Sequence, residues 1–223
     1  MGPHADHKYP TMVKIAEIER NYIEKDELGL PRGRGRYKGK LPINVFGYEA
    51  LYGKGSRGHR AVTLWDGRRC VAELTMEPVT YHGIKAYSVE TAMVNPKYQG
   101  RGIGAELYKT LVSDMGIVLV SNQSHSPGAR KTWLRLSTDP SVNVYGFNLF
   151  YNTVFKVGPN STRTELKGKG HDLYDEDGTG VVMVRKGSHE DKIMASLLKL
   201  SAKKHEADPL DTNWGFADTL EPS

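Results

Sequence analysis

Apolar and polar residues alternate in short blocks through the middle of the chain and in longer waves at its ends. Ala61-Val62-Thr63-Leu64-Trp65 and Arg68-Arg69-Cys70-Val71-Ala72-Glu73-Leu74-Thr75-Met76 flank Asp66-Gly67. Two β-prone runs around Asp-Gly predict a hairpin. A turn near His82-Gly83 leads to a third run, residues 86–94, where Val89, Thr91, Met93 and Val94 favour extended chain. Pro96 ends it, because proline lacks an N–H and restricts Asn95 before it. The period then changes. Ile103, Leu107 and Leu111 recur at i, i+4 and i+8, with Tyr108, Val112 and Met115 beside them, which predicts a helix stopped at Gly116.

Ile117-Val118-Leu119-Val120-Ser121 is apolar almost throughout and predicts a strand buried on both faces, parallel to the one at 86–94 and joined to it by the helix. Ser126 and Pro127 open a further helix carrying Ala129, Trp133, Leu134 and Leu136. Val142–Phe147 and Gly180–Arg185 predict the closing strands, separated by a long excursion over about 150–179. Amphipathic helices are predicted at 12–25 and 189–204. The resulting organisation is an N-terminal helix and basic segment over 1–45, a main domain over 46–187, and a C-terminal helix with an acidic tail over 188–223.

The turn from strand to helix carries the candidate chemistry. Gly100, Gly102 and Gly104 alternate with Arg101 and Ile103. Glycine lets backbone approach a ligand closely. The first N–H groups of the helix lack partners within it and sit at its positive end, which suits phosphate. The loop is not a P-loop, since Gly104-Ala105-Glu106 stands where Gly-Lys-Ser/Thr is required, and its even spacing is not Gly-x-Gly-x-x-Gly.

Gln99-Gly100-Arg101-Gly102-Ile103-Gly104, led in by Val94-Asn95-Pro96-Lys97-Tyr98, resembles the Gln/Arg-x-x-Gly-x-Gly/Ala loop of the Gcn5-related N-acetyltransferase (GNAT) superfamily. The resemblance is strong over 86–115 and weaker over about 59–147. It implies an α/β (α+β) fold: a mixed, mostly antiparallel twisted sheet flanked by helices, with two parallel central strands splayed around a pantetheine arm. It implies acetyl-CoA as co-substrate, held by Gln99, Gly100, Arg101, Gly102, Ile103 and Gly104, with the thioester carbonyl polarised by backbone N–H near Met93 or Val94. It also implies acyl transfer to an amine acceptor, a small molecule or a protein, by direct attack.

A base must take the amine's proton. Glu90, on the cofactor strand, is the first candidate, and strict alternation puts Ser88, Glu90 and Ala92 on one face. An ungapped alignment puts Ser88, rather than Glu90, at one position where the family carries its base. His125, Ser124 and Tyr145 are the alternative acid–base groups. The family often carries a tyrosine on the helix after the polar bend to protonate the leaving thiolate. Trp133 stands at about that place, and indole is no acid at neutral pH. The Ser-rich bend, Gly128-Ala129 and Trp133 also resemble GNAT-like proteins of tailed phages, which brings in a non-catalytic or virion-associated module as an alternative.

Charge adds one further reading. The chain's 223 residues carry a net charge of +5, and five basic residues without an acid fall in 29–40. Such a segment, with Tyr37 among its arginines, could grip nucleic acid or another polyanion through residues 32–40 and stack a base, which would suit a nucleic-acid-modifying GNAT enzyme. Lys54–Arg60 is a second basic stretch. Asp172, Asp175, Glu176 and Asp177 lack EF-hand spacing, so no metal site is expected. Cys70 is the lone cysteine, which excludes an internal disulfide and fits a reducing cytoplasm. Hydrophobic content of 38%, mean hydropathy of −0.52 and the lack of an apolar run of about 18 residues argue against a membrane span. Self-association is left open.

Overall fold

The computed structural model describes residues 30, 31, 34, 37, 39–54, 58–121, 127–148, 153–158 and 179–207. The expected helix at 12–25, the expected cap Ser126, the acidic group at 172–177 and the tail after 207 lie outside them.

Among the described residues, nine strands form one sheet: β1 (Gly39–Lys40), β2 (Glu49–Lys54), β3 (Arg60–Asp66), β4 (Arg69–Tyr81), β5 (Ile84–Val94), β6 (Leu119–Ser121), β7 (Val142–Asn148), β8 (Thr153–Lys156) and β9 (Thr179–Arg185). Their order across the sheet is β1-β2-β3-β4-β5-β6-β9-β7-β8. Every pairing is antiparallel except β5 with β6. Among the described residues, three α-helices flank it: α1 (Ile103–Ser113), α2 (Pro127–Leu136) and α3 (His189–Ala207). This is the mixed, mostly antiparallel sheet that the GNAT resemblance predicts.

Local chemistry accounts for the elements. Asp66-Gly67 joins β3 to β4 with Gly67 at φ 56°, and His82-Gly83 joins β4 to β5 with both residues left-handed. Gly116, at φ 67°, ends α1 with paired hydrogen bonds, Gly116 N–H to Val112 O and Ile117 N–H to Leu111 O.

Each face of the sheet has its own core. α1 and α2 cover one face, packing Leu107, Leu111 and Trp133 on Leu74, Met76 and Met183. α3 covers part of the other, with Met194 among Ile84, Ala86, Val120 and Val182. A third cluster, Leu30, Tyr37, Leu51, Trp65 and Cys70, includes the segment before β1, so that segment packs into the domain upstream of residue 46.

Three expectations are corrected. The excursion after β7 is not all loop: β8 pairs with β7, seating the Phe155 ring on Gly146, where a Cβ would meet Phe155 Cζ at 2.1 Å. Tyr37 is buried and donates its hydroxyl to Glu73 Oε1 at 2.9 Å, so it is not available to stack a base. Arg34, from the same basic segment, pairs with Glu49 at 2.6 Å and lies over the Trp65 ring.

The third correction concerns β5. Its register against β4 runs Thr75↔Thr91 and then Met76↔Val89, so Glu90 is an extra residue in a β-bulge. Alternation restarts across it. Val89 and Val94 both pack toward the α1 core, whereas Met93 packs with Trp65 on the opposite face. Ser88 and Ala92 therefore lie on opposite faces of β5, contrary to strict alternation.

Candidate active site

The loop after β5 is locked by its own side chains. Asn95 Oδ1 accepts from Lys97 N–H at 3.1 Å and opens a 3-10 turn over Pro96–Tyr98. Tyr98 is buried and donates its hydroxyl to Asp66 Oδ2 at 2.9 Å, tying the loop to the β3–β4 turn. Gln99 Nε2 donates to Val94 O at 2.9 Å, so its side chain closes the loop. Gly100 and Gly102 have φ of 79° and 78°, a left-handed region that costs other residues about 1–2 kcal/mol. Gly102 caps α1, and its carbonyl accepts from Glu106 N–H at 3.0 Å. The amides of Ile103, Gly104 and Ala105 have no partner within the helix. Arg101 lies over the Tyr98 ring, 5.4 Å from its centre.

Beside this loop the sheet opens. β5 pairs with β6 only at Tyr87↔Leu119, Ser88↔Val120 and Val89↔Ser121. Past that point no described strand pairs with β5 on the β6 side. Asn95 N–H donates to Val71 O on β4 at 2.8 Å. By strand alternation the Met93 amide also turns to β4, while Ala92 and Val94 turn theirs to the open edge. Of the two expected carbonyl-polarising positions, Val94 therefore faces the gap and Met93 does not. The gap widens into a cleft of about 780 Å³ between β5, the start of α1 and α2.

The bulge brings together side chains from β4, β5 and the residue just before β3. Glu90 Oε2 accepts from His59 Nδ1 at 3.0 Å, and Glu77 on β4 completes a group whose ligating atoms lie within 4.8 Å of one another. One imidazole and two carboxylates at this spacing can hold an ammonium group or a divalent cation. Glu90 also lines the cleft. His59 and Glu77 carry no signal of their own in the sequence, because only the β3–β4 register sets them opposite one another.

Tyr145 is nowhere near this group. It is buried under α3, where its hydroxyl donates to Asp191 Oδ1 at 2.8 Å and the Lys156 ammonium lies 4.3 Å from its ring centre. Burial first, then the Asp191 carboxylate, pushes its pKa up, and Tyr145 does not line the cleft. Ser124 and His125 lie outside the described residues. Trp133 is buried against Tyr108 with ring centres 5.3 Å apart. Tyr108 lines the cleft, and burial raises its pKa so that the phenol stays protonated.

α2 contributes two further cations. Lys131 and Arg135 both line the cleft, one helical turn apart. A Cβ on Gly102 would come within 2.8 Å of Arg135 Nη1, so the guanidinium rests on the glycine loop. Their i, i+4 spacing in a helix without an acid was the available signal.

No family model matches the chain, and no curated protein matches it in sequence. Among solved structures it is similar to the GCN5-related glucosamine N-acetyltransferase region of a fungal multi-domain GH3 β-N-acetylglucosaminidase, with 19% identity over 41% of this chain and a TM-score of 0.25. The chain spans 13% of that protein's length. It is also similar to a putative GNAT-family acetyltransferase from Bacteroides thetaiotaomicron, with 12% identity over 66% of this chain and 70% of the other and a TM-score of 0.33. The resemblance to the GNAT superfamily is carried by the chain's own loop and strand order. Among the described residues, no helix is long and apolar enough to cross a membrane.

Proposed function

We propose that the protein is an acyl-CoA-dependent N-acetyltransferase, moving an acetyl group from acetyl-CoA to an amine by direct attack. The observation that carries this reading is the glycine loop at the start of α1 lying beside the unpaired half of β5. A donor bound there has its phosphates at one end of the cleft and its thioester at the other. The fit is good in three respects: Gly100 and Gly102 leave the loop bare, α1 offers free amides, and β5 offers an outward backbone N–H at Val94.

In this reading, loop and helix amides hold the pyrophosphate, and the Val94 N–H polarises the thioester carbonyl. The acceptor arrives as an ammonium ion beside Glu77 and Glu90, which favour its charge, and gives a proton to Glu90. The freed amine forms the new C–N bond, the C–S bond breaks, and the second proton that the nitrogen sheds on becoming an amide passes through water to the leaving thiolate. His59 holds the Glu90 carboxylate through its 3.0 Å contact. A cytoplasmic setting, where acetyl-CoA is made and used, goes with this reading.

Calorimetric titration of acetyl-CoA into wild type and Gly102→Glu tests it. Micromolar binding by wild type and none by the variant is expected; no heat and no thermal shift for wild type would end the enzyme reading. A screen of amines with Glu90→Gln as control then identifies the acceptor.

A second reading, a GNAT-fold module that binds without catalysing, is favoured by Trp133, which fills with buried indole the place where relatives carry a phenolic acid. The screen separates the two, since a binding module takes up acetyl-CoA and acylates nothing.

A further inference from the structure

We infer that Arg135 is a ligand of the donor's phosphates, with Lys131 as a second cation behind it, so that α2 forms the far wall of the phosphate site. The inference deepens the acyl-CoA reading and rests on it. Backbone amides and a helix terminus supply only partial charge. A pyrophosphate needs more, and Arg101 is occupied over the Tyr98 ring. Arg135 is better placed. Its Nη1 lies 2.8 Å from the point where a Gly102 Cβ would stand, at the N-cap of α1, and among the described residues no carboxylate pairs with it. The residues of α2, Pro127–Leu136, include no acid that could neutralise Lys131 or Arg135 from their own helix.

The mounting is rigid. Trp133 and Leu136 on the same helix are buried, and the Trp133 ring packs at a tilt against Tyr108 of α1. The head group therefore projects from a fixed helix onto the loop, not from a loop of its own. A planar guanidinium with five donors in a fixed fork can bind two phosphate oxygens side by side, whereas an ammonium meets them as a point charge. Gly102 then meets two demands at once: a left-handed φ, and room for the guanidinium above it.

The test compares binding of coenzyme A and of phosphate-free pantetheine by wild type, Arg135→Gln and Arg135→Lys, with folding checked by thermal melts. The expected result is about a tenfold or greater rise in Kd for coenzyme A in Arg135→Gln, partial recovery in Arg135→Lys, and unchanged pantetheine binding. Arg135→Gln binding coenzyme A as tightly as wild type overturns the inference and leaves the acyl-CoA reading standing. Equal weakening toward pantetheine also overturns it, since Arg135 then shapes the cleft without pairing with phosphate. Failure of wild type to bind coenzyme A overturns the acyl-CoA reading itself, and this inference with it.

Discussion

His59 and Glu90 stand 31 residues apart in sequence and 3.0 Å apart in space, Nδ1 against Oε2. The contact exists because β5 carries one residue more than β4 opposes. With Glu90 as base, Glu90→Gln is expected to slow acyl transfer by about 10²–10⁴-fold while acetyl-CoA affinity holds. His59→Asn should slow it less, because that change loosens the carboxylate without removing it. Steady-state kinetics on the acceptor found by screening, with calorimetry for the donor, check both. Because Glu90 is exposed, the melting point should hold within the spread of surface substitutions, about 0.5 kcal/mol.

The three loop glycines should respond differently to alanine. Gly102→Ala meets a left-handed φ and the Arg135 guanidinium, so a loss of about 1–2 kcal/mol together with weaker donor binding is expected. Gly100→Ala meets the same φ cost in open space. At Gly104 a Cβ would touch Val94 Cγ2 at 3.7 Å, an ordinary contact, and alanine favours the helix by up to about 1 kcal/mol. Gly104→Ala should therefore leave stability equal or higher. Denaturant melts of the three variants decide.

Trp133 is expected to hold α2 to α1 and to take no part in proton transfer. Trp133→Ala should cost about 3–5 kcal/mol, as for other buried aromatics, and Trp133→Phe much less. If Trp133→Phe keeps its turnover number while losing some stability, the structural role stands. A drop in turnover without any change in melting would contradict it.

Asp191 ties α3 to the sheet by accepting from Tyr145 Oη, Asn143 Nδ2 and Gly187 N–H, each at 2.8 Å. Burial pushes its pKa up, but the hydrogen bonds and the Lys156 charge outweigh burial and hold the carboxyl below its ordinary 3.8. A carboxylate with a depressed folded pKa stabilises fully above its unfolded pKa and loses that contribution as pH falls through the folded value. Asp191→Asn should cost about 1.5–3 kcal/mol at neutral pH. The gap to wild type should close only as pH drops below 3.8, which unfolding curves at stepped pH would follow.

Much of the frame could be read from residues alone. Asp66-Gly67 between β-prone runs, the period change at Ile103, and the evenly spaced glycines are local signals, and each was met by the element expected of it. The candidate site was half legible. The loop residues are contiguous, so their pattern survives in one dimension. The group at the bulge does not: His59, Glu77 and Glu90 come from the residue just before β3, from β4 and from β5, and meet only through cross-strand register. Arg135 on Gly102 depends on how α2 packs against α1, which Trp133 and Tyr108 decide. β8 was hidden for another reason. Thr153–Lys156 is four residues long and is held through Phe155, whose ring needs the bare backbone of Gly146 on a neighbouring strand.

Glu90 is the one residue of β5 that the pairing with β4 does not count. If it were excised, Val89 would still oppose Met76 and Thr91 would still oppose Thr75, and both faces of the strand would keep their present occupants. The shortened strand would be the more regular one. Deletion at this position is thus the rare frame-shift that a sheet can absorb, and a chain selected for folding alone would have no reason to retain the residue. The middle of the sheet carries a spare position, and what fills it is a carboxylate on the wall of the cleft.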